Sequence, residues 1–210
     1  YHAGGYRAVQ ENEEFSDMSK SAIDGHKVIV RILNRKADNL YSGEVIKILG
    51  HKNDPGIDIL SIACKYNIND EFSDEILKEL ENIPYEVKES EMKNRTDLRD
   101  RMIFTIDGDD TKDIDDAISL DILENGNYSL GVHIADVSNY VTENSAIGKE
   151  AFEGGTSAYL GGKVVPMLPQ KLSNGICSLN PGSDRLAISC VMEIDHKGEI
   201  VDSDIFLSVI

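Results

Sequence analysis

Several stretches of this chain place an apolar residue at every second position, the period of a strand with one buried face. In DGHKVIVRIL, Val28, Val30 and Ile32 share one face. The polar loop NRKADNLYS then leads to GEVIKILG, Gly43 to Gly50, a second strand. Further along, MIFTID (Met102 to Asp107) and AISLDIL read as strands on either side of an acidic loop. YSLGVHIADV alternates Tyr128, Leu130, Val132 and Ile134, and ENGN before it supplies an Asn-Gly turn, the strongest short hairpin signal. LAISCVMEID, Leu186 to Asp195, alternates again, and His196-Lys197-Gly198 turns into a final strand.

Between these runs the pattern changes. HKNDPGIDILSIACKY opens on an Asn-Asp-Pro-Gly turn and continues as an apolar segment. FSDEILKELENIP predicts a helix with Ser73 as N-cap, Asp74 and Glu75 in its first turn and Pro84 beyond its end. Ile76, Leu77, Leu80 and Ile83 form its apolar stripe, and Phe72 with Leu77 has the spacing of a hydrophobic staple. The mixed charges of YEVKESEMKNRTDLRD read as a solvated linker, whereas SAIGKEAFE predicts a helix ending at Gly154-Gly155. The first 15 residues show no period. Two twisted strands joined by a basic loop suit a small OB-type β-barrel. A connector and a mixed α+β domain follow, so the fold class expected is α+β.

At 210 residues the chain suffices for one sizeable core or two small domains. No apolar run approaches the ~18 residues of a membrane span, and no basic-then-apolar signal segment opens it. It begins at Tyr1 and stops inside the strand-like run DIFLSVI, so the expectation is a fragment of something longer. Cys64, Cys177 and Cys190 lack CxxC spacing, which points away from a disulfide framework or zinc site and toward a reducing cytoplasm. The net charge of -17 argues against a general nucleic-acid-binding surface. That charge is uneven: residues 1–60 hold 8 Lys+Arg against 9 Asp+Glu, but residues 61–120 hold 8 against 17.

The acid concentrates in FTIDGDDTKDIDDAISLD, where six aspartates fall between Asp107 and Asp116 with apolar residues on both sides. Two like charges ~4 Å apart repel by about 1 kcal/mol in water and about 4 kcal/mol at an effective dielectric of 20. Several such pairs would consume much of a domain's net stability of ~5–15 kcal/mol. Side chains that splay into solvent, take up protons, or surround a divalent cation all relieve that repulsion. Oxygen-only ligands favour Mg²⁺, Mn²⁺ or Ca²⁺ over zinc. An EF-hand needs Gly at position six and Glu at position twelve; counting from Asp107 these are Lys112 and Ile118, and from Asp113 the glycine is Ile118. Magnesium suits the loop better, since it takes a few carboxylates and leaves room for substrate phosphates. A pair of such ions is the common arrangement for phosphodiester cleavage. From the residues alone, a metal site formed by Asp107, Asp113, Asp115 and Asp116 and a solvated acidic loop both stand.

TIDGDDTKDIDDAIS also closely resembles the signature of the RNB-type exoribonucleases, the RNase II and RNase R family. The likeness extends through GVHIADVSNYV and GTSAYLGGKVVPMLPQKLSNGICSLNPGSDRLAISCVMEID, and back to GEVIKILGHKNDPGIDILSI, and is strongest toward the bacterial RNase R branch. The resemblance implies a processive, Mg²⁺-dependent (Mn²⁺ as alternative) 3′-to-5′ hydrolysis of RNA to nucleoside 5′-monophosphates. Its substrates would be single-stranded RNA or RNA with a 3′ overhang, in the cytoplasm, with the ribosome or RNA-decay machinery as further partners and no membrane. It assigns Asp107, Asp113, Asp115 and Asp116 to metal, Asp113 and Asp115 also to catalysis, and leaves Asp109 and Asp110 exposed. Tyr159 matches an aromatic that stacks on a base, worth ~1–3 kcal/mol per base whatever the sequence. Lys163, Lys171 and Arg185 are expected at RNA phosphates, with a solvated charge the alternative for each; Asp136, which ends a strand, is read as structural, with a place near the metals as the alternative.

The resemblance implies a domain plan as well: residues 1–50 end a cold-shock OB-type RNA-binding domain, 51–95 connect, and 96–210 begin an RNB catalytic domain. The family's RNB domain runs further, with a later arginine, another clamping aromatic and a C-terminal RNA-binding OB domain. This stretch by itself is therefore expected to bind RNA weakly and not to cleave it. A rival expectation is a non-catalytic RNA-binding or assembly module.

Overall fold

The computed structural model describes residues 21–210 except Asn39, Asn67, Asn69, Asp70 and Gly162; the side chain of Lys163 also lies outside the described residues. The chain divides into two compact units, Tyr1–Asn69 with Leu160–Lys163, and Asp70–Tyr159 with Val164–Ile210. In the first, β1 (His26–Ala37) and β2 (Leu40–His51) form a long antiparallel ribbon. Helix α1 (Ile57–Lys65) packs on β2, with Ile57 and Ala63 buried. The ribbon's predicted apolar face is covered only near its base: Val28 is half-buried, whereas Val30 and Ile32 are exposed.

The stretch expected as a connector divides between the two units. Its first half is α1, which belongs with the ribbon, and its second half joins the other unit. There α2 (Asp74–Asn82) is capped by Ser73, whose hydroxyl accepts from Ile76 N. Ile76 and Ile83 pack with Ile147, Leu172, Ile176 and Cys177, and Phe72 and Leu80 close on that cluster. Leu77 does not take part in the stripe and is exposed. The segment expected to be a solvated linker contains α3 (Glu89–Met92) and β3 (Thr96–Asp97), and the side chain of its Arg95 is buried. Arg95 donates to Asp136 at 2.5 Å, to Asn139 Oδ1 and to the carbonyls of Glu91 and Ala187, so Asp136 is paired within the fold.

A five-stranded sheet carries this unit, in the order β3-β9-β8-β5-β4. Here β4 is Asp116–Ile122, β5 Tyr128–Ala135, β8 Leu186–Ile194 and β9 Ile200–Val209; all pair antiparallel except β3 with β9. MIFTID forms no strand; only Phe104 bridges to Ile118. A short hairpin pairs β6 (Ala158–Leu160) with β7 (Lys163–Val165), after α4 (Ala146–Gly154), which ends at Gly155 with φ 69°. The covered face of the large sheet carries small and polar residues. Ala117, Ser119, His133, Ala135, Ala187 and Ser189 are buried, while Leu120, Ile122, Ile134, Ile205 and Leu207 on the opposite face are exposed. Alternation thus predicts these strands correctly, but of the residues it marks as apolar Leu186 is buried, Leu130 and Val132 are half-buried, and Tyr128, Ile134 and Ile188 are exposed.

Candidate active site

The acidic loop lies between two arms fastened at one point. Phe104 and Ile118 exchange both backbone hydrogen bonds, at 3.0 and 2.9 Å, as an antiparallel bridge. Asp107 and Asp115 lie the same number of residues beyond that neck, one on each arm. Asp116 opens β4, opposite Ile134. The carbonyl of Asp115 accepts from Ala135 N at 2.9 Å, so the second arm is tied to β5 before the sheet proper begins.

The region around Asp113 is held from another direction. The hydroxyl of Ser178 accepts from Ile114 N at 3.0 Å and donates to the Lys112 carbonyl at 2.9 Å, gripping the backbone on both sides of Asp113. Leu179 N donates to the Ile114 carbonyl. Beneath these contacts, Ala117, Ala135 and Leu179 are buried with Ile103, Ile114, Val137 and Ile210 packed against them. A loop dense in like charge is therefore anchored to a small apolar cluster.

The four aspartates interact through charge. Solvent reaches Asp115, yet partial burial and then the carboxylates of Asp113, Asp116 and Asp107, in that order, push its pKa above the usual carboxylate value. Asp109 and Asp110 are absent from that set and are exposed. Among the described residues, no three His, Cys, Asp or Glu side chains stand close enough to form a ready metal cage. The four carboxylates share one field without meeting at one point. As a donor set they fit a hard divalent cation: all donors are oxygen, and positive charge would relieve the repulsion recorded at Asp115.

The residues expected at RNA lie elsewhere. Tyr159, on β6, is 71% exposed, with its ring available to a partner. Lys163 begins β7, and its side chain lies outside the described residues. Two of the expected phosphate contacts are engaged within the chain instead. The Lys171 ammonium donates to the Leu80 carbonyl at 2.7 Å, near the C-terminus of α2, and sits 4.2 Å from the centre of the Tyr85 ring. Arg185 is buried, and its Nε donates to the Ser178 carbonyl at 2.7 Å. Basic residues look alike in sequence whether they meet solvent or an internal carbonyl. Ser178 carried no signal either, since nothing in SLNPG marks its hydroxyl.

Comparison with known proteins places this arrangement. The pattern described as RNB domain matches residues 95–210, more than half of the chain. The chain belongs to the RNB-domain family. A second pattern, described as cold shock domain, matches residues 16–73, so the α+β organisation is a cold-shock region followed by an RNB region. Ribonuclease R 1 of Lactococcus lactis is 48% identical over 210 residues, covering 98% of this chain. The chain spans 25% of that relative's length. Among solved structures, Mycoplasma genitalium RNase R in complex with double-stranded RNA superposes with a TM-score of 0.78 at 35% identity, over 88% of this chain and 33% of that one. The same protein in complex with ribose methylated single-stranded RNA gives 0.79 at 34% identity, over 90% and 30%. No helix among the described residues is long and apolar enough to cross a membrane.

Proposed function

We propose that the full-length RNB protein containing this sequence is a cytoplasmic, processive 3′-to-5′ exoribonuclease with the acidic loop as its metal centre. The observation that carries this reading is the set Asp107, Asp113, Asp115 and Asp116, whose charges act together in an RNB region. RNA as substrate is supported by the relatives named ribonuclease R and by the RNA-bound titles of the superposed structures. Asp107 and Asp116 hold Mg²⁺, or Mn²⁺ in its place, and Asp113 and Asp115 complete the site. A divalent ion there supplies Lewis acidity toward the phosphodiester and lowers the pKa of a bound water. Tyr159 offers a sequence-tolerant stacking surface. In the ribbon, five Lys or Arg accompany two acidic residues between His26 and His51, giving RNA a positive surface in an otherwise acidic chain.

The direct experiment gives the full-length protein an RNA with a 3′ overhang, with Mg²⁺ and with EDTA. Loss of RNA to mononucleotide without a ladder, in Mg²⁺ only, is expected. Unchanged RNA at high protein would favour a non-catalytic RNA-binding or assembly module. The 210-residue chain alone, a quarter of its relative's length, is expected to bind RNA weakly and leave it uncut.

A further inference from the structure

Arg185, Ser178 and the backbone around Asp113 form a continuous connection from the sheet to the acidic loop. Arg185 exchanges backbone hydrogen bonds with Ile210, at 2.8 and 3.0 Å, just before β8 and just after β9. Its guanidinium reaches back to the Ser178 carbonyl, which also accepts from Asn180 N at 2.7 Å. Ser178 is fully buried, and its hydroxyl bonds Ile114 N and the Lys112 carbonyl, with Asn180 Oδ1 at 3.4 Å as a more distant acceptor. Lys112 and Ile114 are the residues either side of Asp113. We infer that Ser178 is a positioning residue for the acidic site: buried and backed by Arg185, its hydroxyl fixes the peptide units that aim the Asp113 carboxylate at the site's cation.

This inference rests on the metal-centre reading above and assigns Ser178 no contact with substrate or ion. A hydroxyl is required because the position must accept from an N–H and donate to a C=O at once. Alanine does neither, and cysteine fills the space with a weak donor and a weak acceptor. Removing a group that orients a metal ligand typically lowers metal affinity 10–100-fold.

The test measures Mn²⁺ binding by electron paramagnetic resonance in the full-length protein, comparing wild type with Ser178→Ala and Ser178→Cys. RNA binding in EDTA and thermal melting are followed alongside, and affinities are read where all three proteins are folded. Weaker Mn²⁺ binding in both variants, by roughly ten-fold, with RNA binding in EDTA retained and cleavage restored by added metal, is the expected result. Mn²⁺ affinity within two-fold of wild type in the folded variants overturns the inference. Weak metal binding accompanied by equal loss of RNA binding in EDTA also overturns it, since the serine would then support the whole unit and not the site. If the wild-type protein itself binds no Mn²⁺, the metal-centre reading fails, and the positioning role fails with it.

Discussion

Buried His133 sits among hydroxyls, with Ser119 Oγ 3.1 Å from one ring nitrogen and Ser189 Oγ 2.7 Å from the other. Ser189 continues to Ser208 at 2.6 Å, so one polar chain crosses β4, β5, β8 and β9 on the covered face. Gly131 makes room for it: a Cβ there would lie 2.3 Å from Ser119 Oγ and 2.8 Å from His133 Nε2. Burial first, and then the charge of Arg101, hold the His133 pKa below its ordinary 6.5. The unfolded chain therefore binds a proton near pH 6.5 that the folded unit refuses, and stability falls as the pH drops from there toward the folded value. Urea unfolding at pH 7.5 and 5.5 checks this: His133→Gln, though weaker at pH 7.5, should lose less stability between the two than the wild type. The sequence shows this histidine only as one of five, without metal-ligand spacing. Its hydroxyl neighbours come from strands that meet only in the folded sheet, so no local pattern announces them.

Elements defined by local chemistry were legible. Ser73 caps its helix, Gly155 ends another, and the Asn-Gly turn joins β4 to β5. Elements defined by distant partners were not. The segment from Tyr85 to Asp100 has the composition of a linker, yet Arg95 finds Asp136 41 positions away and ties the segment to the sheet. Side chains of both partners are about 95% buried, at 6% and 4% exposure, so the pair cannot be treated as a surface ion pair. Removing one partner of a buried pair strands the other charge, at a cost of about 3–5 kcal/mol, whereas an exposed pair is worth ~0–1 kcal/mol. Arg95→Ala should therefore lower the stability of the sheet unit by about 3 kcal/mol in urea titration. Arg31→Ala, at a pair whose arginine is 64% exposed, should change the stability of its own unit by less than about 1 kcal/mol. MIFTID failed as a strand for a related reason: apolar alternation supplies the side chains, but only Phe104 has a backbone partner.

At the scale of the whole molecule, the acidic loop stands at one end of a sheet whose covered face is small and polar and whose other face is apolar and partly exposed. The aspartate spacing was legible because repulsion between carboxylates demands compensation wherever the loop folds. What sequence did not show is how the loop is held, since the neck at Phe104 and Ile118, the Ala135 amide and the Ser178 hydroxyl are all tertiary contacts. Asp115 is the carboxylate on which the other three act, which makes it the place to probe. The decisive measurement is RNA degradation and RNA binding by the full-length protein carrying Asp115→Asn. Cleavage abolished with RNA binding retained is the predicted result; cleavage at the wild-type rate would contradict the metal-centre account.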